Sequence, residues 1–304
     1  MNKTFKYSEE AGRALAVGDP VLALESTIIA HGMPYPENLD FAREAEATAR
    51  KYGAIPATIA ILNGEVCIGL DPDQLAILAR DESVQKVATR EIGSMLTSGG
   101  YGATTVSSTM ALAHRAGIKT FATGGIGGVH RGAEKDLDIS ADLIELSRTP
   151  VIVISAGAKA ILDLPKTLEY LETMSVPVIG YGTTDFPAFY SSRSGYDIHQ
   201  SLDSPAQIAS AFAAQRDLGL SAGMLIANPV PLEIEIPLAE MTGFIDQALR
   251  DASTAGVFGK ELTPYLLGRI VELTEGRSLV TNRGLALNNV RLGAEIAACL
   301  AERA

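Results

Sequence analysis

The chain has 304 residues with 25 Lys plus Arg against 36 Asp plus Glu, so its formal net charge is −11, and 47% of its residues are hydrophobic. This apolar content excludes a disordered chain, and two cysteines are too few for a disulfide scaffold. The acidic balance offers no basic surface to a nucleic-acid polymer. No long apolar span or targeting segment is recognisable, so we expect a cytoplasmic protein without membrane contact.

Short apolar runs alternate with longer helical patterns, which is typical of an α/β fold with a largely parallel sheet. The predicted strands are Val21–Leu24, Thr58–Leu62, Thr120–Thr123, Val151–Ser155, Val178–Gly180 and Gly223–Ala227. The predicted helices are Pro36–Tyr52, Pro72–Arg80, Thr104–Ala116, Ala141–Ser147, Pro165–Thr173, Pro205–Leu218, Leu238–Ala255, Thr263–Thr274 and Ala286–Arg303. No linker, repeat or low-complexity segment divides the chain, so residues 1–304 are predicted to form a single domain.

A carboxylate, Glu25, ends the first apolar strand. In open α/β sheets, ligands gather at the carboxyl ends of the strands. Burial there raises a carboxyl pKa and suits the group to proton transfer near neutral pH. A second interpretation is a carboxylate that caps backbone N–H groups in the Ser-Thr segment that follows.

A glycine-rich loop, Gly124–Gly128, follows the strand predicted at Thr120–Thr123. It matches neither a P-loop nor a dinucleotide fingerprint. Because glycine lacks a Cβ, the loop can bring its backbone close to a ligand, and His130 and Arg131 could bind a polar one. The alternative is a surface turn without a ligand.

An acidic cluster of Asp136, Asp138 and Asp142 comes next. Carboxylates without neighbouring Cys suit a hard divalent cation such as Mg²⁺ or Mn²⁺. Equally, Asp138 or Ser140 could be the N-cap of the following helix.

Lys159 follows a fully apolar strand and a turn of small residues. A lysine shielded from water is a competent amine nucleophile that can form a Schiff base with an aldehyde. The alternative is a side chain whose stem lies on apolar surface while its ammonium group reaches solvent.

Glycines at 99, 100 and 102 precede a Thr/Ser-rich helix start at residues 104–109. Free N–H groups and hydroxyls at a helix N-terminus can bind a phosphate, and Lys86 could add one positive charge. Ordinary N-capping would explain the same Ser and Thr residues.

Together these segments resemble the pseudouridine-5′-phosphate glycosidases, also described as the indigoidine synthase A family, over nearly the whole chain. The most specific stretches are 23–36, 56–60, 102–106, 121–134, 138–143 and 156–159. The resemblance implies a three-layer α/β/α sandwich around a mixed, largely parallel sheet, assembled as a homotrimer. It also implies reversible cleavage of pseudouridine 5′-phosphate to uracil and ribose 5-phosphate, with a divalent cation, typically Mn²⁺.

The resemblance also assigns roles to individual residues. Lys159 would be the covalent nucleophile, Glu25 the proton donor and Asp138 the metal ligand. Substrate contacts would come from Lys86, Val106, Ser140, Ala141 and Asp142, and base-side contacts from His130 and Asn282. Two other functions remain open at this point: a sugar kinase of the ribokinase type, and a non-catalytic phosphosugar sensor that kept the pocket.

Overall fold

The structure is a computed structural model that describes residues 5–258 and 262–303. Its strands are β1 (Phe5–Tyr7), β2 (Val21–Leu24), β3 (Ile55–Leu62), β4 (Glu65–Ile68), β5 (Gln85–Val87), β6 (Tyr101–Thr104), β7 (Thr120–Ala122), β8 (Ile152–Ser155), β9 (Val178–Tyr181), β10 (Gln200–Leu202) and β11 (Met224–Ala227).

The helices are α1 (Glu9–Val17), α2 (Thr27–His31), α3 (Glu37–Lys51), α4 (Pro72–Arg80), α5 (Ile92–Ser98), α6 (Val106–Ala116), α7 (Ala133–Asp136), α8 (Ala141–Arg148), α9 (Leu164–Thr173), α10 (Pro205–Asp217), α11 (Leu238–Ala255), α12 (Leu262–Leu273) and α13 (Arg277–Ala301). Within the described residues, no helix has the length and hydropathy that a membrane span requires.

The strands form one sheet in the order β1-β4-β3-β2-β7-β8-β11-β9-β10, and β6 pairs with both β3 and β5. Most neighbours are parallel, but β3 runs antiparallel to β4 and β6. Helices α3, α10 and α13 pack together on one side, whereas α6 and α8 contact each other on the opposite side. The predicted α/β/α sandwich around a mixed, largely parallel sheet is therefore confirmed.

Three central strands end level with one another. Leu24 pairs with Ala122, and Ala122 pairs with Ile154, so β2, β7 and β8 finish at the same edge of the sheet. All three strands are buried along their length, which explains their continuous apolar sequence. The residues that follow them are consequently brought together at this edge.

The sequence analysis missed five strands (β1, β4, β5, β6 and β10) and four helices (α1, α2, α5 and α7), most of them very short. It also placed the start of the last helix at residue 286, whereas α13 begins at Arg277. Gly284, which precedes the predicted start of this helix, lies inside it. A Cβ at Gly284 would overlap Ile234 Cδ1, so the glycine is explained by close packing rather than by a helix end.

Candidate active site

Glu25 follows β2 directly and is 8% exposed. Burial raises the pKa of its carboxyl group, and the positive charge of Lys159 is the largest opposing influence. The hydroxyl of Thr123, which follows β7, donates a hydrogen bond to Glu25 Oε1. The structure therefore holds Glu25 through the neighbouring strand, with a carboxyl group that stays protonated at higher pH than an ordinary glutamate.

Lys159 and Lys86 converge on the same place from different parts of the chain. The backbone N–H of Lys159, just beyond β8, donates to Ile126 O at 3.0 Å and so fixes the residue against the glycine loop. Lys86, on β5, is exposed to solvent over much of its surface. The protein around its amino group nevertheless lowers the pKa of Lys86, and repulsion from Lys159 lowers that pKa further. Two lysines and one buried carboxyl group thus lie close enough at this edge of the sheet to act on one another electrostatically, and we call the region between them the cleft.

Asp142 joins the glycine loop to the start of α6. Its buried carboxylate accepts from Ser107 N at 2.9 Å and from Gly127 N at 2.8 Å. The helix N-terminus that the sequence suggested for a phosphate is therefore occupied in part by this carboxylate. Since like charges repel, a phosphate in the cleft depends more on the lysines than on Ser107.

The other predicted substrate contacts lie around this junction. Val106 is the buried first residue of α6, and Ser140 is the N-cap of α8, where its hydroxyl accepts from Asp142 N at 3.3 Å. Ala141, the first residue of α8, is exposed. The capping alternative considered for Ser140 is thus what the structure shows, and it does not prevent the residue from lining the cleft.

The glycines of the loop are explained by protein side chains. A Cβ at Gly125 would lie 2.6 Å from Phe189 Cε2, and Cβ atoms at Gly127 and Gly128 would overlap Ser140 and Thr167. Phe189 itself has a φ of 63°, a conformation that is rare outside glycine. The loop is therefore a tightly packed element, neither a mobile turn nor a loop opened only for a ligand.

Sequence reasoning missed a pair of buried asparagines that fixes the loop from below. Asn289 on α13 is fully buried, and its Nδ2 donates to Thr123 O at 2.8 Å and to Gly124 O at 3.3 Å. Its Oδ1 accepts from Asn228 Nδ2 at 2.9 Å. We call these two residues the asparagine clamp. A polar residue within the apolar face of the last predicted helix was the available signal.

His130 and Asp138 lie in the loops on either side of α7, and Asn282 lies on α13. His130 Nδ1 is 3.9 Å from Asp138 Oδ2; burial lowers the pKa of the imidazole, and Asp138 opposes this. Asn282 is 8% exposed, and its Oδ1 has no hydrogen-bond partner among the residues that the structure describes. This oxygen is near the backbone of Gly124, where a Cβ would be 3.4 Å away. It is therefore an available acceptor beside the loop.

Asp138 has the chemistry of a ligand for a hard cation, since its carboxylate is 40% exposed and free to bind through oxygen. The neighbouring Asp136 Oδ1 accepts from Asp138 N at 3.0 Å. Over residues 5–258 and 262–303, no group of three or more His, Cys, Asp or Glu side chains could hold a metal. A cation held by Asp138 would therefore need most of its ligands from water or substrate.

The chain is similar to known proteins over nearly its whole length. The family model described as indigoidine synthase A like protein matches residues 10–299. A pseudouridine-5′-phosphate glycosidase from Paracoccus denitrificans is 55% identical over 296 residues, 97% of each chain. A protein of the same name from Staphylococcus aureus is 50% identical over 297 residues, 98% of this chain and 97% of the relative.

Two solved structures share the fold. The prealnumycin C-glycosynthase, solved in complex with ribulose 5-phosphate, is 35% identical with a TM-score of 0.92 and covers 100% of this chain and 99% of its own. An indigoidine synthase A-like protein from Thermotoga maritima is 36% identical with a TM-score of 0.89, covering 98% and 96%. The chain belongs to the indigoidine synthase A like protein family.

Proposed function

We propose that this chain catalyses the reversible cleavage of the C–C glycosidic bond of pseudouridine 5′-phosphate, giving uracil and ribose 5-phosphate, in pseudouridine catabolism. Relatives that carry this name are 50–55% identical over nearly the full length. The observation that carries the proposal is the meeting of Glu25 and Lys159: the positive charge of Lys159 acts on the buried carboxyl group of Glu25. A proton donor and a nucleophile are what this bond requires.

The chemistry follows from these two groups. The Lys159 amine replaces the ring oxygen O4′ at C1′, and O4′ leaves with a proton supplied by Glu25. The substituted Lys159 nitrogen returns a proton to Glu25, which then protonates uracil C5 and lets the C1′–C5 bond break. The electron pair of that bond returns to the uracil ring, while the lysine nitrogen forms the C1′=N bond of a protonated imine. Water hydrolyses the imine, which releases ribose 5-phosphate and restores Lys159.

The remaining residues bind the two ends of the substrate. Lys86 and Lys159 repel each other, so an anionic phosphate near Lys86 relieves an unfavourable interaction. The Oδ1 of Asn282, which accepts no hydrogen bond from the residues that the structure describes, is suited to accept from a uracil N–H, with His130 nearby on the base side. Val106, Ser140, Ala141 and Asp142 would shape the cleft between these ends.

Asp138 would hold the divalent cation, Mn²⁺ or a similar ion, which supplies positive charge next to the substrate when bound. We also propose that the protein acts in the cytoplasm as a homotrimer. Equilibrium sedimentation would test the assembly: a species of three chains is expected, and a monomer at all concentrations would contradict it.

The function is tested by incubating pseudouridine 5′-phosphate with the protein, with and without Mn²⁺, and following uracil by chromatography. Release that depends on the metal is expected. Tight binding without release would favour a phosphosugar sensor, and consumption of ATP with pseudouridine would favour a kinase.

The nucleophile is tested separately by adding ribose 5-phosphate and borohydride and mapping the adduct by mass spectrometry. The adduct is expected on Lys159 and absent in Lys159→Met. Lys86→Met is the matched control, since it removes a lysine from the same cleft and should still form the adduct at higher sugar concentration. An adduct on any other residue of the wild type would overturn the assignment.

A further inference from the structure

A small cavity lies between Glu25 and the helices α3 and α13. It measures about 20 Å³, which is room for one water molecule. Most of its walls are apolar, including Phe41 and Val290, but Glu25, Thr58 and Thr123 contribute polar side chains. A water in this cavity would therefore have the polar partners that a buried water needs.

A second buried carboxyl group lies on the other side of Thr58. Glu46, on α3, is 8% exposed, and Thr58 Oγ1 donates to its Oε1 at 2.8 Å. Glu46 Oε2 is 3.7 Å from the guanidinium of Arg50, which is itself half exposed and paired with Glu10 at 2.8 Å. The proposed reaction makes no use of Glu46, although a buried carboxyl group is costly to keep.

We propose that Glu46, Thr58 and one water in this cavity form a proton relay that connects Glu25 with solvent on the α3 side of the sheet. The inference rests on the proposed function. Glu25 gives its proton to the water, and the water gives one of its own to Thr58 Oγ1. Thr58 then passes its hydroxyl proton to Glu46 Oε1. One proton moves from Glu25 to Glu46, and the reverse sequence returns it.

The relay answers a requirement of the chemistry. Glu25 is buried, and a bound nucleotide covers the cleft side, so its proton needs a route that the substrate does not block. Burial raises the pKa of both Glu25 and Glu46, so the proton passes between two carboxyl groups whose pKa values are shifted in the same direction. The charged groups acting on Glu46 are Arg50 and Glu10, and Arg50 marks the exit to solvent.

The relay predicts how often a proton taken from uracil escapes. In the synthetic direction, forming the C–C bond moves the C5 hydrogen of uracil to Glu25. With uracil deuterated at C5 and ribose 5-phosphate at equilibrium, mass spectrometry gives the deuterium lost to solvent. Exchange of ¹³C-labelled uracil into the nucleotide gives the turnover. Each nucleotide released has necessarily lost its C5 deuterium, so the deuterium lost beyond that count, divided by the turnover, is the ratio that measures escape during bonds formed and broken before release, and it does not depend on the overall rate.

Thr58→Val and Glu46→Gln are expected to lower this ratio by about fivefold or more, because each interrupts the relay with little change in shape. Thr58→Ser keeps the hydroxyl and should behave as wild type. Glu44→Gln, also on α3, disrupts an exposed ion pair with Arg283 outside the relay and is the matched surface control. Thermal unfolding shows whether each variant folds. If Thr58→Val does not fold, Glu46→Gln provides the test, because it retains an acceptor for the Thr58 hydroxyl.

A wild-type ratio in both Thr58→Val and Glu46→Gln would overturn the relay while leaving the proposed function intact. A wild-type protein that transfers no ¹³C label from uracil into nucleotide would overturn the proposed function and the relay together.

Discussion

Replacing Asn289 by leucine tests whether the asparagine clamp holds the active-site loop. Leucine has a similar size but no polar atoms, so the change removes hydrogen bonds with little change in volume. The Nδ2 of Asn289 donates to Thr123 O and Gly124 O, and its Oδ1 accepts from Asn228 Nδ2. Gly124 O keeps a second donor, Ala156 N at 2.9 Å.

Two buried polar groups are therefore left without their partner in Asn289→Leu: Thr123 O and Asn228 Nδ2. Each such group costs about 1–3 kcal/mol, so the free energy of unfolding should fall by about 2–6 kcal/mol. The segment carrying Thr123 is also held less firmly, which weakens the hydrogen bond from Thr123 to Glu25. The kcat should fall roughly 10- to 100-fold, since small misplacements of reacting groups have effects of that size.

Urea unfolding and uracil release, both measured well below the melting temperature, give the two quantities. Asn288→Leu is the matched control. Asn288 is half-buried on the same helix, donates to Pro229 O at 3.2 Å and accepts from Arg291 Nη2 at 3.1 Å, so its loss should cost about 0.5–1.5 kcal/mol for each bond. A loss of stability in Asn289→Leu no larger than in Asn288→Leu would refute the reasoning.

Three further changes follow from the structure. Gly125→Ala should destabilise the protein to urea by about 1–3 kcal/mol because its Cβ meets the Phe189 ring, whereas Gly243→Ala, in an open part of α11, should stabilise it by up to about 1 kcal/mol. Glu25→Gln should have the same melting temperature as the wild type below pH 4.5. As the pH rises toward the raised pKa of Glu25, the variant should melt at a higher temperature than the wild type, because only the wild type then buries a charge. Equal melting temperatures at pH 8 would contradict this. Asp142→Asn leaves Ser107 N or Gly127 N unpaired, so the free energy of unfolding in the same urea assay should fall by about 1–3 kcal/mol. An unchanged urea midpoint would contradict the role of Asp142 in holding the start of α6 against the glycine loop.

The central strands could be predicted from sequence because their apolar, β-branched runs reflect burial on both faces. The predicted range for β2 agrees with the structure at both ends, and β8 differs by one residue. The short strands β5 and β6 could not be predicted in this way. They have three and four residues, too few for a period to show, and their pairing depends on β3 changing partners along its length.

The candidate site shows the same division. Glu25 and Lys159 were recognisable because each is a charged residue next to an apolar strand, and the level ends of β2 and β8 bring them together. The structural role of Asn289 could not be predicted as readily, because its side chain donates to backbone oxygens that lie 165 or 166 residues away in sequence. Bonds of that kind depend on the assembled fold and leave no local pattern.

The last helix also governs when the site can exist. Asn282 and Asn289 both lie on α13, which comes after every strand of the sheet in chain order. A ribosome must therefore synthesise every strand of the sheet before these residues emerge. Until then, Thr123 O and Gly124 O lack the hydrogen-bond donor that Asn289 provides. Synthesis that stops before residue 277 would yield a chain that contains all of the strands, together with Glu25 and Lys159. That chain would lack the helix that fixes the loop between these two residues.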